Sequence, residues 1–398
     1  AAARPVLAMR RTALVAGALF LLACALGFGG LFSHAFPGDT ETYSKYGRAL
    51  VNDGRIPYHD FYDEYPPGSV PVFAAPAVIW DAHYVLVFKL LMTAFGLGCV
   101  VCAAWIVRRL SLSPWRLGPL VLAPLLMGPV FLNRYDPLPA FLTSLALIAL
   151  IRTREVTTGA LLGADTAIKI YSIVTLPLAW RRLKAPRGPV VAFLVAAGVL
   201  FLPFFLIAPG GVGFSFKTQI ERHLQIETLG SSILLAGSKL GIHHVDWIAG
   251  KPGSIDLGGV VPDVVASLSS ALALVLVALV AVRYWRGPDT DARLVTAWAA
   301  AVAAWTVFGK VLSPQYMTWL APLVPLAAGR RGLHAAAVFL AALMLTQVEY
   351  FGGDHGLRDQ TWVVWVLLLR NALLVWSFVL LYVQLGERRG LRGRVADV

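Results

Sequence analysis

The chain has 398 residues, 58% of them hydrophobic and only 14% charged, with a net charge of +12 and a mean hydropathy of +0.70. A soluble domain carries about 25% charged residues, and its core does not absorb repeated apolar runs of ~20 residues, the length that spans a bilayer. These values exclude an ordinary soluble enzyme and predict an all-α polytopic membrane protein. The positive charge does not call for nucleic acid, because the basic residues cluster between spans as the positive-inside rule requires.

In chain order, the predicted spans are 12–32, 84–107, 117–132, 137–151, 157–168, 171–180, 188–208, 260–282, 293–310, 316–329, 334–350 and 361–384, about twelve membrane helices with some short or re-entrant. The first reads as a retained anchor, since no small-residue cleavage site follows it. Seven short basic segments, around Arg4, Arg108, Arg152, Arg181, Arg283, Arg330 and Arg388, hold 21 of the 34 Lys and Arg. Lys/Arg bias marks the cytoplasmic side. Both termini are then cytoplasmic, and the long segments 33–83 and 209–259 are extracytoplasmic loops of one transmembrane domain covering 1–398. No internal repeat interrupts it.

The first loop carries the densest polar chemistry. A Pro-Gly break precedes Asp39, and a helical run follows with Tyr43, Tyr46 and Leu50 on one face. This predicts an amphipathic helix on the outer surface. "DFYDEYPPGSVPVF" (Asp60 to Phe73) then forms a rigid acidic corner leading into a second interfacial helix. Asp39 reads either as a functional carboxylate or as a helix N-cap, and Glu64 as a functional acid or a solvated loop residue.

Between Arg154 and Arg181, two apolar arms of about 12 residues flank "DTAIKIY" (Asp165 to Tyr171). Each arm gives ~18 Å of helix at 1.5 Å per residue, too little for a ~30 Å hydrocarbon core. The turn must lie within the membrane, where non-helical backbone faces protein or a wet cavity. Lys169 at that depth is a functional candidate, with snorkelling as the alternative.

Further polar groups reach the same outer side. Arg134 and Asp136 occupy the turn between spans three and four. Arg222, Gln225 and Glu227 fall on a stretch, "FKTQIERHLQIETLGSS", that reads as another interfacial helix, and Lys310, Gln315 and Tyr316 on the turn near residue 312. Surface pairing and ordinary loop polarity are the alternatives. Cys24, Cys99 and Cys102 lie in apolar spans, and the histidines form no HxxxH or HExxH pattern. No metal or other cofactor is expected.

One acidic loop, an intramembrane lysine and several cations on one side suit transfer from a lipid-phosphate donor. Lys and Arg stabilise a phosphate leaving group, a carboxylate serves as base for an acceptor hydroxyl, and Tyr43 and Tyr58 could stack on sugar rings.

The runs "DTETY", "ALVNDGRIPYHDFYDEYPPG", "LLGADTAIKIYSIVTLPL", "HLQIETLGSS" and "SPQYMTWLAPLVPL" resemble, in this order, glycosyltransferase family 87. The family belongs to the GT-C enzymes related to the polyprenol-phosphate-mannose-dependent mannosyltransferases of actinobacteria. The resemblance implies a GT-C fold with a large first extracytoplasmic loop, and metal-independent inverting transfer to a cell-envelope glycolipid or glycan acceptor. It implies Asp39 as base, four residues before Tyr43, and Lys169 on the donor phosphate. From their own positions, Arg222, Lys310 and Arg134 are further phosphate candidates, and Tyr43, Tyr58, Gln225, Glu227, Gln315 and Tyr316 are candidates for sugar or acceptor. The run "DEYPPG" departs from the mannosyltransferase pattern, so Glu64 leaves room for an accessory acid or another sugar such as arabinofuranose. A transporter or flippase of a lipid-linked or anionic substrate, and a lipid-binding scaffold, are the competing classes. A transporter should show repeated halves, and a scaffold would leave Asp39, Lys169 and Arg222 idle.

Overall fold

A computed structural model describes residues 3–28, 39–249, 254–351 and 357–387. The Pro-Gly break before Asp39, the last residues of the first predicted span and the basic cluster after Glu387 lie outside the described residues.

The chain is built almost wholly of helices. They are α1 (Ala3–Phe28), α2 (Thr40–Val51), α3 (Val70–Trp80), α4 (Tyr84–Arg109), α5 (Gly118–Leu126), α6 (Pro129–Leu132), α7 (Pro137–Ile151), α8 (Glu155–Ile168), α9 (Leu176–Trp180), α10 (Arg187–Ile207), α11 (Pro209–Ile220), α12 (Leu229–Lys239), α13 (Val260–Trp285), α14 (Asp291–Phe308), α15 (Met317–Leu320), α16 (Gly329–Phe351) and α17 (Thr361–Gln384). Among the described residues, five helical stretches are long and apolar enough to cross a membrane, and three shorter apolar helices accompany them. The all-α polytopic expectation holds.

α14 is the central column. Its run of alanines, Ala297, Ala299, Ala300, Ala301, Ala303 and Ala304, is buried on every face, and small side chains let neighbouring backbones approach closely where no hydrophobic drive operates. α4, α13 and α14 each carry arginine-rich turns at one end. There Arg109 and Arg182 pair with Asp291, Arg182 also with Asp289, and Arg116 donates to the carbonyls of Pro325 and Ala327. The first loop and residue 310 lie at the other end, about 39 Å away along the 26 residues of α4.

The hairpin forms as its arm lengths demand. α8 is 14 residues, about 21 Å, and its Glu155 carboxylate accepts from the amides of Lys184 and Ala185, so both arms start at the arginine-rich end. Helix stops at Ile168. Lys169 is extended, with φ −155° and ψ 117°, and a tight 3-10 turn runs from Ile170 to Thr175. Gly159 and Gly163, one turn apart on α8, lie directly against the backbone of Pro189 and Phe193 in α10, a small-xxx-small contact.

Three sequence expectations change. The predicted span 117–132 breaks at Gly128, whose φ is 56°, into α5 and the four-residue α6. The predicted span 316–329 is broken into a 3-10 turn, the four-residue α15 and a second 3-10 turn. Pro322 and Pro325 each remove a backbone donor and clash with the preceding turn, and burial in the bundle makes such backbone tolerable. The interfacial helix expected across Phe216 to Ser232 ends at Ile220. A small antiparallel sheet follows, ordered β1 (Leu224–Gln225), β3 (Ile255–Gly258), β2 (Asp246–Ala249). Leu224 and Trp247 flank Leu257 in register. Helix resumes at α12, where the Thr228 hydroxyl caps the Ser231 amide.

The acidic corner plugs into the hairpin. Pro67–Ser69 is a single 3-10 turn, wholly buried, and it packs on the end of α8. A β-carbon at Gly68 would come within about 2.5 Å of the Ala167 carbonyl, so only glycine lets the first loop touch the hairpin turn backbone to backbone. Gly68→Ala should cost ~1–3 kcal/mol by overpacking. The expected outcome is a melting temperature several degrees lower in detergent with insertion unchanged; an unshifted melt would mean that the corner can back away from the hairpin.

Candidate active site

A cavity of about 870 Å³ opens at the end opposite the arginine-rich turns. The first loop and the start of α2 give it Asp39, Tyr43, Glu64 and Tyr65; the α6–α7 turn gives Arg134 and Tyr135. The hairpin gives Lys169 and Tyr171, the β1 region Arg222, His223, Gln225 and Glu227, and the α14–α15 turn Lys310, Gln315, Tyr316 and Trp319. An arm of the cavity follows α13 past Ala266, Ser270, Ala273 and Leu274, about 12 Å of helix from the first to the last.

Asp39 stands at the N-cap position of α2 but its side chain makes no cap hydrogen bond. Its Oδ2 instead accepts from Tyr65 at 3.1 Å and Tyr43 at 3.3 Å and forms an ion pair with Arg134. The capping alternative therefore fails, and the carboxylate is aimed inward. Arg134 pairs with Asp39 and not with its neighbour Asp136, which is wholly buried.

Asp136 belongs to the hairpin tip. Its Oδ1 accepts from Lys169 Nζ and from Trp319 Nε1, both at 2.8 Å. The ammonium lies 4.3 Å from the Tyr135 ring centre and 5.3 Å from those of Tyr316 and Trp319, close enough for cation–π attraction. Trp319 is sandwiched between Tyr171 and Tyr316, each 4.0 Å away. Lys169 is thus neither snorkelling nor exposed: only 14% of its side chain meets solvent. Beneath it, buried Asp165 accepts from Thr143, whose hydroxyl also lies 2.8 Å from that of Tyr171.

Arg222 and Lys310 differ from these paired cations. No described carboxylate lies within 4 Å of either. Arg222 makes one long contact, 3.5 Å to Gln219 Oε1, and its Nε is buried without a partner. Lys310 donates to the Ile220 carbonyl.

Glu64 is no solvated loop residue; it is 7% exposed. Burial pushes its pKa up to about 7, against the opposing pull of Arg222, Tyr65 and Lys169, while neighbouring Asp63 adds to the rise. Asp63 is raised to about 7 as well, by burial, with one oxygen accepting from the Tyr65 amide at 2.9 Å.

Gln225, on β1 instead of a helix, uses its whole amide: Nε2 donates to Glu227 at 2.9 Å and Ser313 at 2.7 Å, and Oε1 accepts from the Leu312 amide at 2.9 Å. It ties the β1 region to the 310–316 turn. Glu227, in the turn after β1, lines the cavity. Its backbone carbonyl accepts from Arg370 at 2.7 Å and Asn371 at 3.2 Å, both buried in α17.

Two aromatic residues are not placed to stack on a sugar. Tyr43 is itself stacked on Phe73 at 4.4 Å and edged by Tyr65 and Tyr135, so only its hydroxyl serves the cavity. Tyr58 does not line the cavity; it packs against Phe204 in a separate apolar cluster and donates to the Tyr65 carbonyl. Sequence reasoning missed Tyr65, Tyr135 and Trp319 as lining groups, and it missed Asp136 as the partner of Lys169. Arg370 and Asn371 were missed too, although an arginine in the middle of the apolar run "VLLLRNALLV" is by itself a signal.

The sequence model of glycosyltransferase family 87 matches residues 61–314. No curated protein matches the chain.

The two raised carboxyls fix the sign of a pH effect. Unfolded, Asp63 and Glu64 ionise near 3.8 and 4.5; folded, near 7. The unfolded chain therefore holds fewer protons between those limits, and stability falls as pH rises from about 4 to 7. The expected outcome is a melting temperature that declines across that window, with a shallower slope in Glu64→Gln and shallower again in Asp63→Asn/Glu64→Gln. Parallel slopes in all three proteins would contradict the buried, protonated carboxyls.

Proposed function

The chain belongs to glycosyltransferase family 87, and from that premise we propose that it transfers a sugar, mannose in the first instance, from a polyprenyl-phosphate-linked donor to a hydroxyl of a cell-envelope glycolipid or glycan. The membrane-glycosyltransferase class follows from the family and the apolar helices. The observation that supports the finer reading is the cavity's division of charge. Asp39 is an ion-paired carboxylate, whereas Arg222 and Lys310 line the same cavity with no described carboxylate within 4 Å.

In this reading the donor phosphate lies between Arg222 and Lys310, with Lys169 as a third cation whose charge is shared with Asp136, and the prenyl chain follows the α13 arm. Arg134 serves Asp39 more directly than the phosphate. Arg134, Tyr43 and Tyr65 hold Asp39 in place. As the acceptor oxygen bonds to the anomeric carbon its proton becomes strongly acidic, and Asp39 takes it. The carbon–oxygen bond to the phosphate breaks on the opposite face, and its electron pair leaves with the phosphate, stabilised by the cations. A β-linked donor then yields an α-linked product. Asp39→Asn keeps the size of the side chain but cannot accept that proton, so turnover should fall ~10²–10⁴-fold with donor KM nearly unchanged. Arg222→Ala should do the reverse, raising donor KM roughly tenfold to a hundredfold, the worth of a charge-assisted hydrogen bond. Release of sugar from a radiolabelled polyprenyl-phosphate donor measures both; an active Asp39→Asn enzyme would remove Asp39 as the base.

The reading also places the cavity on the extracytoplasmic face of a bacterial plasma membrane, because the arginine-rich turns at the other end mark the cytoplasm. The native cysteines are buried, so introduced ones can be labelled against a silent background. Cysteines at Gly54 and Gly241 should react with an impermeant maleimide on intact cells, and cysteines at Ser111 and Gly287 only after lysis. The inverted pattern would put the site in the cytoplasm and end the extracytoplasmic assignment.

A further inference from the structure

Gln315 is 9% exposed, it lines the cavity, and its Oε1 is buried without a hydrogen-bond partner. Leaving a buried acceptor unmade costs about as much as a hydrogen bond is worth, and such groups in native proteins call for a cause. Gln315 sits two residues after Ser313, which Gln225 holds at 2.7 Å, and one residue before Tyr316, fixed in the aromatic stack with Trp319. The backbone that carries it is therefore pinned on both sides. The nearby Glu227 is pinned as firmly: Gln225 holds its carboxylate, and Arg370 and Asn371 hold its carbonyl. Gln315 Oε1 and the Glu227 carboxylate are hydrogen-bond acceptors, mounted on two loops that one glutamine ties together.

We propose that Gln315 and Glu227 read the hydroxyl groups of the donor sugar, Gln315 accepting from one ring hydroxyl and Glu227 from another, so that this pair sets which sugar the enzyme uses. The inference rests on the glycosyltransferase reading above. The hydroxyls are assigned to the donor because Gln315 shares its turn with Lys310, and Gln225 donates from its backbone to the Lys310 carbonyl at 3.1 Å. A sugar one bond from a phosphate held at Lys310 falls beside Gln315, whereas an acceptor activated by Asp39 meets the start of α2. Arg370 and Asn371 are positioning residues in this scheme, acting on the sugar through the Glu227 turn.

The test uses the full-length protein in detergent or nanodiscs and a panel of citronellyl-phosphate sugars lacking one hydroxyl each. With wild type, removal of one particular hydroxyl should lower kcat/KM roughly tenfold to a hundredfold, because it leaves Gln315 unpaired again. Gln315→Met, similar in length and apolar, should erase that one penalty and keep the others. Glu227→Gln should alter the penalty at a different hydroxyl. Arg370→Lys should weaken discrimination at the Glu227 position alone. The proposal is overturned if wild type uses every deoxy donor equally, or if Gln315→Met keeps the full set of penalties. It is equally overturned if the erased penalty belongs to deoxy acceptors. Should no polyprenyl-phosphate sugar be turned over, the catalytic reading falls, and the same panel is then scored by thermal stabilisation. Hydroxyl-dependent stabilisation lost only in Gln315→Met still supports the pair, and stabilisation by no sugar, or by all alike, refutes it.

Discussion

The bond between Lys169 and Asp136 constrains most of what surrounds it. A buried ammonium and a buried carboxylate each carry a desolvation cost of several kcal/mol, and only close geometry with further hydrogen bonds repays it. Asp136 accordingly accepts from Trp319 as well, and Lys169 lies against three aromatic rings. To put the lysine there the hairpin must break its helix at Ile168, and to seal the broken backbone the Pro-Pro-Gly corner must descend onto Ala167. That descent carries Glu64 and Tyr65 to the cavity wall. One ion pair thus organises elements from four separate parts of the chain.

The cavity's remaining charges divide by whether their needs are already met. Arg134 and Lys169 are neutralised by Asp39 and Asp136, which makes them part of the scaffold before any substrate arrives. Arg222 and Lys310 have no described carboxylate within 4 Å, although Glu64 and Asp256 lie in the field of Arg222, and Asp256 and Asp263 in that of Lys310. The two first-loop carboxyls that line the cavity also diverge: Asp39 accepts from three donors, whereas burial raises the pKa of Glu64.

The parts of this arrangement that were legible in the sequence are those with an arithmetic signature. Arms too short to cross a bilayer gave the hairpin and its lysine, and 3/4 spacing gave the helix after Asp39. The inward aim of Asp39 was not legible, because Asp after Pro-Gly serves capping equally well and only the position of Arg134 decides between them. The β1 region was misread as helix: Lys217 to Leu229 is permissive of helix locally, and the strand is imposed by pairing with residues 255–258, a contact that no local pattern announces. Tyr65, Tyr135 and Trp319 were hidden because aromatic residues in apolar runs look alike whether they pack a core or line a cavity. The family match runs from residue 61 to 314, so it covers neither Asp39 nor Gln315; the sequence alone left Asp39 open between functional carboxylate and helix cap, and its role as base came from the resemblance of the run that contains it.

The clamp from α17 onto the Glu227 carbonyl also bears on how the protein is made. The two partners are 143 residues apart, and α17 follows the rest of the described bundle during synthesis. An arginine near the middle of an apolar helix resists partition into lipid by roughly 2.5–3.5 kcal/mol on insertion scales. By the time α17 emerges, however, Glu227 and its turn can already be waiting, and docking Arg370 and Asn371 there offsets that resistance. Insertion of the helix and completion of the cavity wall at Glu227 become one event, so a nascent or misinserted chain lacks the finished cavity until its final described span is seated.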